Sequence, residues 1–435
     1  MNYSGGALMD PERLEMSRRS RGYRVYVLVL LCFTFFLSYA DRQIFGVLLT
    51  PLKQEFGLSD TVLGLMSGLG FGLFYGVMSL PLARWADRSS RKFVLTTCLG
   101  LWSIATMLSG AATTTFHLFL ARASVGIGEA GGTPSGISMI SDLFGKAHRG
   151  MAIAMYNAAG SFGGAAVITI GAWVASEYSW RMAFVVVGIP GILLTLLIAF
   201  TVEEPARGAA DGIVDVAPPA TVRQTFRHIL GQPALVLAMV GGGMSSAVVA
   251  CTAWLPSFFE RSHGLSLVQA GGAVGLALLL AGPFGEIIGG QATDRLSRRG
   301  NSAILWSVMG TTIATMVMSL LLMAAPTALL AIAAMVGWKI FATAYPPPTW
   351  SLSQSMVPPR MRATSQATMG IFSNLLGYGC GPSLAGWLSE LYRPSMGEES
   401  LRWGLGTTML VMGAGAAVAY FFAARAAHRS ATSSI

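Results

Sequence analysis

Ala83-Arg-Trp-Ala-Asp87-Arg88-Ser-Ser-Arg91-Lys92 and, 207 residues later, Gly290-Gln-Ala-Thr-Asp294-Arg295-Leu-Ser-Arg298-Arg299 read as two copies of one basic loop. Each follows an apolar run long enough to cross a bilayer. A second pair has nearly the same offset. Asp142-Leu-Phe-Gly-Lys-Ala-His-Arg149 aligns with Ser355-Met-Val-Pro-Pro-Arg-Met-Arg362, 213 residues on. Similar offsets at two separate places indicate internal duplication. The chain is therefore expected to be two related halves, each carrying half of the apolar runs.

Composition fixes the medium. Of 435 residues, 53% are hydrophobic and only 11% charged, against about 25% charged in soluble domains. Mean hydropathy is +0.59. The fold class expected is an all-α membrane protein with twelve transmembrane helices in two six-helix bundles around a central cavity, since helices satisfy every backbone polar group in lipid. The spans fall near 24–49, 61–83, 93–112, 116–140, 150–174, 181–201, 233–259, 267–291, 302–323, 327–352, 363–390 and 402–424. The domains are then an N-terminal tail 1–23, a bundle 24–201, a polar linker 202–232 with a short helix at Val222–Leu230, a bundle 233–424 and a tail 425–435.

The net charge of +9 could point to nucleic acid, but its distribution points to a membrane. Twenty-one of the 29 Lys and Arg lie on the side of both termini, five on the other, and Arg42, Arg122 and Lys339 lie within spans. By the positive-inside rule both termini are cytoplasmic, in a multi-pass protein of the cell (inner) membrane. The four cysteines fall in spans and read as small buried hydrophobes. No cleavable leader is expected, and Met16 is an alternative start. No metal cluster, nucleophile–base pair or phosphate loop stands out, so neither an enzyme nor a cofactor is expected.

The charges inside the spans mark the site. Charges in hydrocarbon are costly and mark function by default. Arg122 and Glu129 in span 4 are seven residues apart, on nearly one helix face. Gly126 and Gly128 between them allow a neighbouring helix close. Asp41 lies roughly 25 Å from the start of span 1, and Arg122 at a similar depth, with Glu129 about 10 Å deeper. The expected mechanism has Arg122 pairing with either carboxylate, while the one left unpaired takes a proton. A static ion pair that fixes packing is the alternative. Arg42 points about 100° away from Asp41, either into the cavity or toward the membrane boundary. Under the repeat offsets, Arg122, Glu129 and Asp41 correspond to Met335, Ala342 and Val248, so the coupling charges belong to the first half. The second half offers Lys339, which either contacts an anionic group or snorkels, and the polar Asn374 and Tyr378. Thr133 and Asn157 complete the candidate substrate contacts. Glu286 is expected near the terminus-side end of span 8. Pro134, Pro190, Pro283, Pro346 to Pro348 and Pro382 are expected to kink their spans.

The loop at Asp87 resembles the major facilitator signature Gly-x-x-x-Asp-Arg-x-Gly-Arg-Lys/Arg, departing from it at Ala83 and Ser90. Ser38-Tyr-Ala-Asp41-Arg42, Arg122-x-x-x-Gly-x-Gly-Glu129-Ala130, Ser141-Asp142-Leu-Phe144 with Arg149, and Trp180-Arg181 are similar to the Spinster family of lysolipid and sphingolipid transporters. That resemblance covers mainly residues 38–190. It implies proton-coupled alternating access for an amphipathic organic anion by a monomer among membrane lipids. The alternatives are a carrier of a small organic anion or drug, and a non-transporting receptor or scaffold. It also implies gate roles for Asp87, Arg88, Arg91, Asp142, Arg149, Asp294 and Arg295. Asp87 and Asp294 would cap facing helix N-termini when the inner side closes, attracted by the helix dipole.

Overall fold

The computed structural model describes residues 20–206, 221–358 and 361–432. The first nineteen residues, the middle of the linker with Arg207, Arg360 and the last three residues lie outside them, and so does the alternative start. Twelve helical spans cross from one side to the other among the described residues. The last is a single helix, Ser400–Thr432, so the segment with Arg425 and Arg429 continues the helix of span 12. The linker resumes as the helix Val222–Leu230, held by a reciprocal capping box between Thr221 and Gln224.

Span starts follow the expected chemistry of helix ends. Ser59, Ser90, Thr114, Ser179, Ser266 and Thr327 each accept a backbone N–H of the first turn. Prolines set the breaks. A proline cannot donate to the carbonyl four residues back. Pro51 ends the ladder at Leu48, between helices Arg21–Val47 and Leu49–Phe56. Pro134 does the same between Thr115–Glu129 and Gly132–Leu143, so span 4 is broken at Ala130 rather than continuous. Pro256 follows a 3₁₀ turn at Cys251–Trp254, Pro346 opens the second piece of span 10, and Pro382 follows a π turn at Ser373–Gly379. Pro190 and Pro283 lie inside unbroken helices.

The duplication is visible in three dimensions. Gly57-Leu-Ser59 and Gly264-Leu-Ser266 form the same turn, 207 residues apart. In both, the glycine is left-handed, with φ of 62° and 65°, and the serine caps the next helix. Equivalent residues meet each other. Thr50 and Ser257 share a hydrogen bond of 3.1 Å, and a Cβ on Gly46 would stand 2.8 Å from the carbonyl of Ala253. Each pair is 207 apart in sequence, so a pseudo-two-fold axis passes between spans 1 and 7. Around it, Gly64 and Gly68 of span 2 press on span 11, as Gly271 and Gly275 of span 8 press on span 5.

These contacts are confined to one end. On the side away from the termini, a single apolar core joins Ile44, Phe45 and Phe184 of the first half to Phe258, Trp254 and Trp338 of the second. On the terminus side the halves have separate cores, one around Leu31, Trp102 and Tyr156 and another around Leu305 and Tyr420. The glycine contacts across the halves run along span 2 to Gly72 against Asn374, and Gly76, one turn on, faces open space. The molecule is sealed on the far side and open on the terminus side.

Candidate functional site

Arg42 lies at the closed end of that opening, its side chain 10% exposed. Its guanidinium Nε donates to Glu129 Oε2 at 2.6 Å, and the Ser38 hydroxyl donates to the same oxygen at 3.0 Å. The rings of Tyr39, Phe71, Tyr75 and Tyr378 surround the guanidinium carbon at 5.4, 5.0, 4.8 and 6.0 Å. Each such contact adds about 0.5–2 kcal/mol. The Glu129 side chain is fully buried and that of Arg42 is 10% exposed. A buried pair of this kind is near break-even in itself, but removing either partner costs about 3–5 kcal/mol. Span 1 supplies Ser38, Tyr39 and Arg42 from adjacent positions of one helix face. Span 11 contributes Tyr378 from its π turn, so the cage reaches across both halves.

This arrangement corrects the expected partnership. Glu129 pairs with Arg42, while Arg122 donates from Nη1 to the Asp41 backbone carbonyl at 3.2 Å and lies over Phe45 and Phe71. No carboxylate lies within ion-pair distance of Arg122 among the described residues. Arg42 reaches Glu129 from the level of Asp41, and the Arg122 guanidinium is taken up instead by the Asp41 carbonyl and the faces of Phe45 and Phe71. Arg122 and the Asp41 backbone do meet at one level, and the Asp41 carboxyl turns instead toward Thr106 and Trp102 of span 3.

The other predicted contacts divide. Thr133 faces the Tyr156 hydroxyl, whose ring stacks on Phe35 at 4.4 Å beside the cage. Asn374 uses its amide on the Gly370 carbonyl within its own helix. Asn157 is exposed and outside the cluster. Lys339 is 8% exposed and packs against span 8. Glu286 does not pair at the terminus-side end of span 8 but faces the cavity, within electrostatic reach of Lys339, Tyr39 and Tyr378.

The predicted gate residues also divide. Asp87, Arg88, Asp294 and Arg295 are exposed in this open conformation. Arg91 is buried and ties three segments of the first half together. It pairs with Asp142, with Glu204 at 2.8 Å, with the Ser138 hydroxyl at 3.0 Å and with the Pro205 carbonyl at 2.6 Å. Glu204 also accepts the Lys92 backbone N–H and the Ser90 hydroxyl. Burial alone would raise the Glu204 carboxyl, and these bonds hold it below the usual value. Arg149 donates to the carbonyls of Phe144 and Ser141.

Sequence reading missed the far-side seal. Asp60, 2% exposed at its side chain, accepts Lys53 at 2.6 Å, Arg261 at 2.7 and 3.1 Å and Ser389 at 2.7 Å, while Glu390 takes its backbone N–H. Thr50 donates to Glu260 beside it. Asp60 stands where the repeat has Leu267, and that acid in one copy only was the available signal. Tyr39 and Tyr75 were missed too; Tyr39, three residues before Arg42, was legible from helix spacing.

The sequence pattern of the Major Facilitator Superfamily matches residues 31–382. An "MFS-type efflux pump" of Mycolicibacterium smegmatis is 32% identical over 391 residues, covering 89% of each chain. A D-galactonate transporter of Escherichia coli O6:H1 is 26% identical, covering 85% of this chain and 90% of that one. A crystal structure described as a bacterial homologue of the human lysosomal transporter Spinster, inward-facing and unoccupied, superposes with a TM-score of 0.85 at 27% identity, over 94% of this chain and 99% of that one.

Proposed function

The chain belongs to the Major Facilitator Superfamily of membrane transporters, Spinster-like in fold and sequence, and we propose that it moves an amphipathic organic anion across the cytoplasmic membrane by proton-coupled alternating access. The observation that carries this reading is Arg42: a cation caged by four rings, held by one buried carboxylate, at the closed end of a cavity between two halves. An incoming acid group and Glu129 compete for the same guanidinium. Binding of the anion frees Glu129, and a carboxylate left without its cation at that depth is neutralised by a proton. Proton entry and release of Arg42 are then one exchange. Asp41, beside Arg122, is the second coupling acid. The terminus side is the cytoplasmic side by its basic residues, and the open state is inward-facing.

Conformational change follows from the repeat. The two halves, 24–201 and 233–424, rock about the axis between spans 1 and 7, breaking the Asp60 seal and bringing the Asp87 and Asp294 loops together. The aromatic cage and the Spinster likeness favour an amphipathic, lipid-type substrate. A small organic acid is the second reading, favoured by the likeness to the galactonate carrier.

Transport into proteoliposomes under an imposed pH gradient tests both. Lysolipids, sphingolipid phosphates and sugar acids are compared, with wild type against Glu129→Gln and Asp41→Asn. Gradient-driven uptake lost in both variants is expected. Wild-type transport indifferent to the gradient refutes proton coupling, and uptake of sugar acids alone establishes the second reading. Absence of any transport, with a conformation fixed across pH, marks a receptor or scaffold.

A further inference from the structure

Around Asp41, four buried polar atoms have no hydrogen-bond partner among the described residues. They are Asp41 Oδ1, Arg122 Nε, Trp102 Nε1 and Thr106 Oγ1. Their residues are 1%, 2%, 0% and 1% exposed. Buried polar groups are almost always satisfied, and a cluster of unsatisfied ones in a native interior calls for an explanation. Trp102 and Thr106 are four residues apart on span 3 and present one face, and both face the Asp41 carboxyl.

The glycines of span 4 make this approach possible. A Cβ on Gly128 would stand 2.9 Å from the backbone N and Cβ of Trp102, one on Gly131 2.5 Å from the Cys98 sulfur, and one on Gly132 3.2 Å from the Trp102 ring. On the other flank, a Cβ on Gly191 of span 6 would stand 2.0 Å from the Ser103 hydroxyl oxygen. Span 3 is thus drawn in against the break in span 4 until its indole lies beneath Asp41.

We propose that Trp102 and Thr106, unpartnered here, are positioning residues that the Asp41 carboxyl engages as it exchanges its proton, tuning that exchange, and that Gly128, Gly131 and Gly132 serve to seat that indole. This rests on the reading of Asp41 as a coupling acid. The chemistry of the two groups is complementary. The indole N–H only donates, and so favours the carboxylate. The threonine hydroxyl donates to the carboxylate and accepts from the protonated acid, so it serves both states. The charged groups facing Asp41 are Arg122 and Glu129 of span 4; on span 5, among the described residues, the titratable group packed against span 1 is Tyr156, stacked on Phe35.

The test compares Trp102→Phe, which keeps the ring, Thr106→Val, which keeps the shape, and Thr106→Ser, which keeps the hydroxyl, in full-length protein. Loss of one donor to a carboxylate is expected to move the pH midpoint of transport upward by about one unit in Trp102→Phe and Thr106→Val, with Thr106→Ser returning to the wild-type midpoint. Infrared titration of the carboxyl band that Asp41→Asn abolishes gives the second readout, independent of transport. Should wild-type transport prove indifferent to pH, the coupling reading fails, while a band that moves in both variants still supports the positioning role. A band and midpoint unchanged in Trp102→Phe and Thr106→Val overturn the proposal, and Thr106→Val alone decides it should Trp102→Phe not purify.

Discussion

Asp60→Asn is expected to open the far side. Three of the bonds on its carboxylate cross between the halves: two from Arg261 at 2.7 and 3.1 Å and one from Ser389 at 2.7 Å. The Lys53 bond stays within the first half and survives rocking. An asparagine keeps one acceptor oxygen but loses the charge, leaving Arg261 largely buried beside a neutral group. Hydrogen bonds to charged groups are worth about 1.5–3 kcal/mol each, and part of that is regained from water once the seal opens. A net loss of about 3 kcal/mol changes the closed-to-open ratio roughly a hundredfold, bringing a ratio of about 100:1 to near 1:1. Spin labels at Gln54→Cys and Glu398→Cys, both exposed on the far side, report the change as a second, longer distance in dipolar EPR, with Cys32, Cys98, Cys251 and Cys380 replaced. Lys53→Met, which leaves the crossing bonds in place, is the control and should shift little. A folded Asp60→Asn protein whose distance distribution superposes on that of wild type would refute the seal.

Arg42→Lys keeps the charge but loses the planar fork matched to acid groups; transport of whichever anion the wild type carries is expected to fall at least about tenfold, and wild-type affinity in that variant would count against the cage. Gly64→Val places side-chain atoms where even a Cβ lies 2.5 Å from the Pro382 carbonyl, so it should favour the far-side-open state in the same EPR assay. Gly163→Ala, whose Cβ would lie 2.1 Å from the Phe36 carbonyl inside one half, should instead lower the melting temperature without changing the label distance. Because the folded Glu204 carboxyl is held below its ordinary value of 4.5, its stabilisation is fully present above that pH and is lost as pH falls through the lower folded value. The melting-temperature advantage of wild type over Glu204→Gln should therefore persist at pH 7 and shrink only in acid below 4.5; an advantage that vanishes near neutrality refutes the clasp.

What the sequence could reveal depended on whether the signal was local. The repeat at Asp87 and Asp294 and the apolar runs are local patterns, and each reappears in the fold. The depth arithmetic for Asp41 and Arg122 also used only rise per residue, and Arg122 does bond the Asp41 backbone. The choice of partner for Glu129 was not local. It depended on the rotamer of Arg42 and on rings from spans 2 and 11, separated from it by up to 336 residues. Asp60 was hidden for the same reason: its partners lie at 53, 261 and 389, and its absence from the second copy, where Leu267 stands, is the one local sign of it.

The prolines join these two kinds of information. Pro51, Pro134, Pro256, Pro346 and Pro382 each interrupt or loosen the ladder of spans 1, 4, 7, 10 and 11. Freed carbonyls cannot face hydrocarbon; they are tolerated only where protein or a water-filled cavity receives them. The breaks in these spans therefore turn their freed carbonyls toward protein or the cavity, while Pro190 sits in the unbroken span 6, whose Leu193 and Phe200 are exposed. Glu129 is the last residue before the break in span 4, and Tyr378 sits in the π turn just ahead of Pro382. Two of the residues that meet around Arg42, Glu129 and Tyr378, thus come from where the backbone is already irregular, while Ser38, Tyr39, Phe71 and Tyr75 come from regular helix. Proline position, readable from sequence, locates the cavity wall, and only the folded chain shows which side chain on that wall holds the charge.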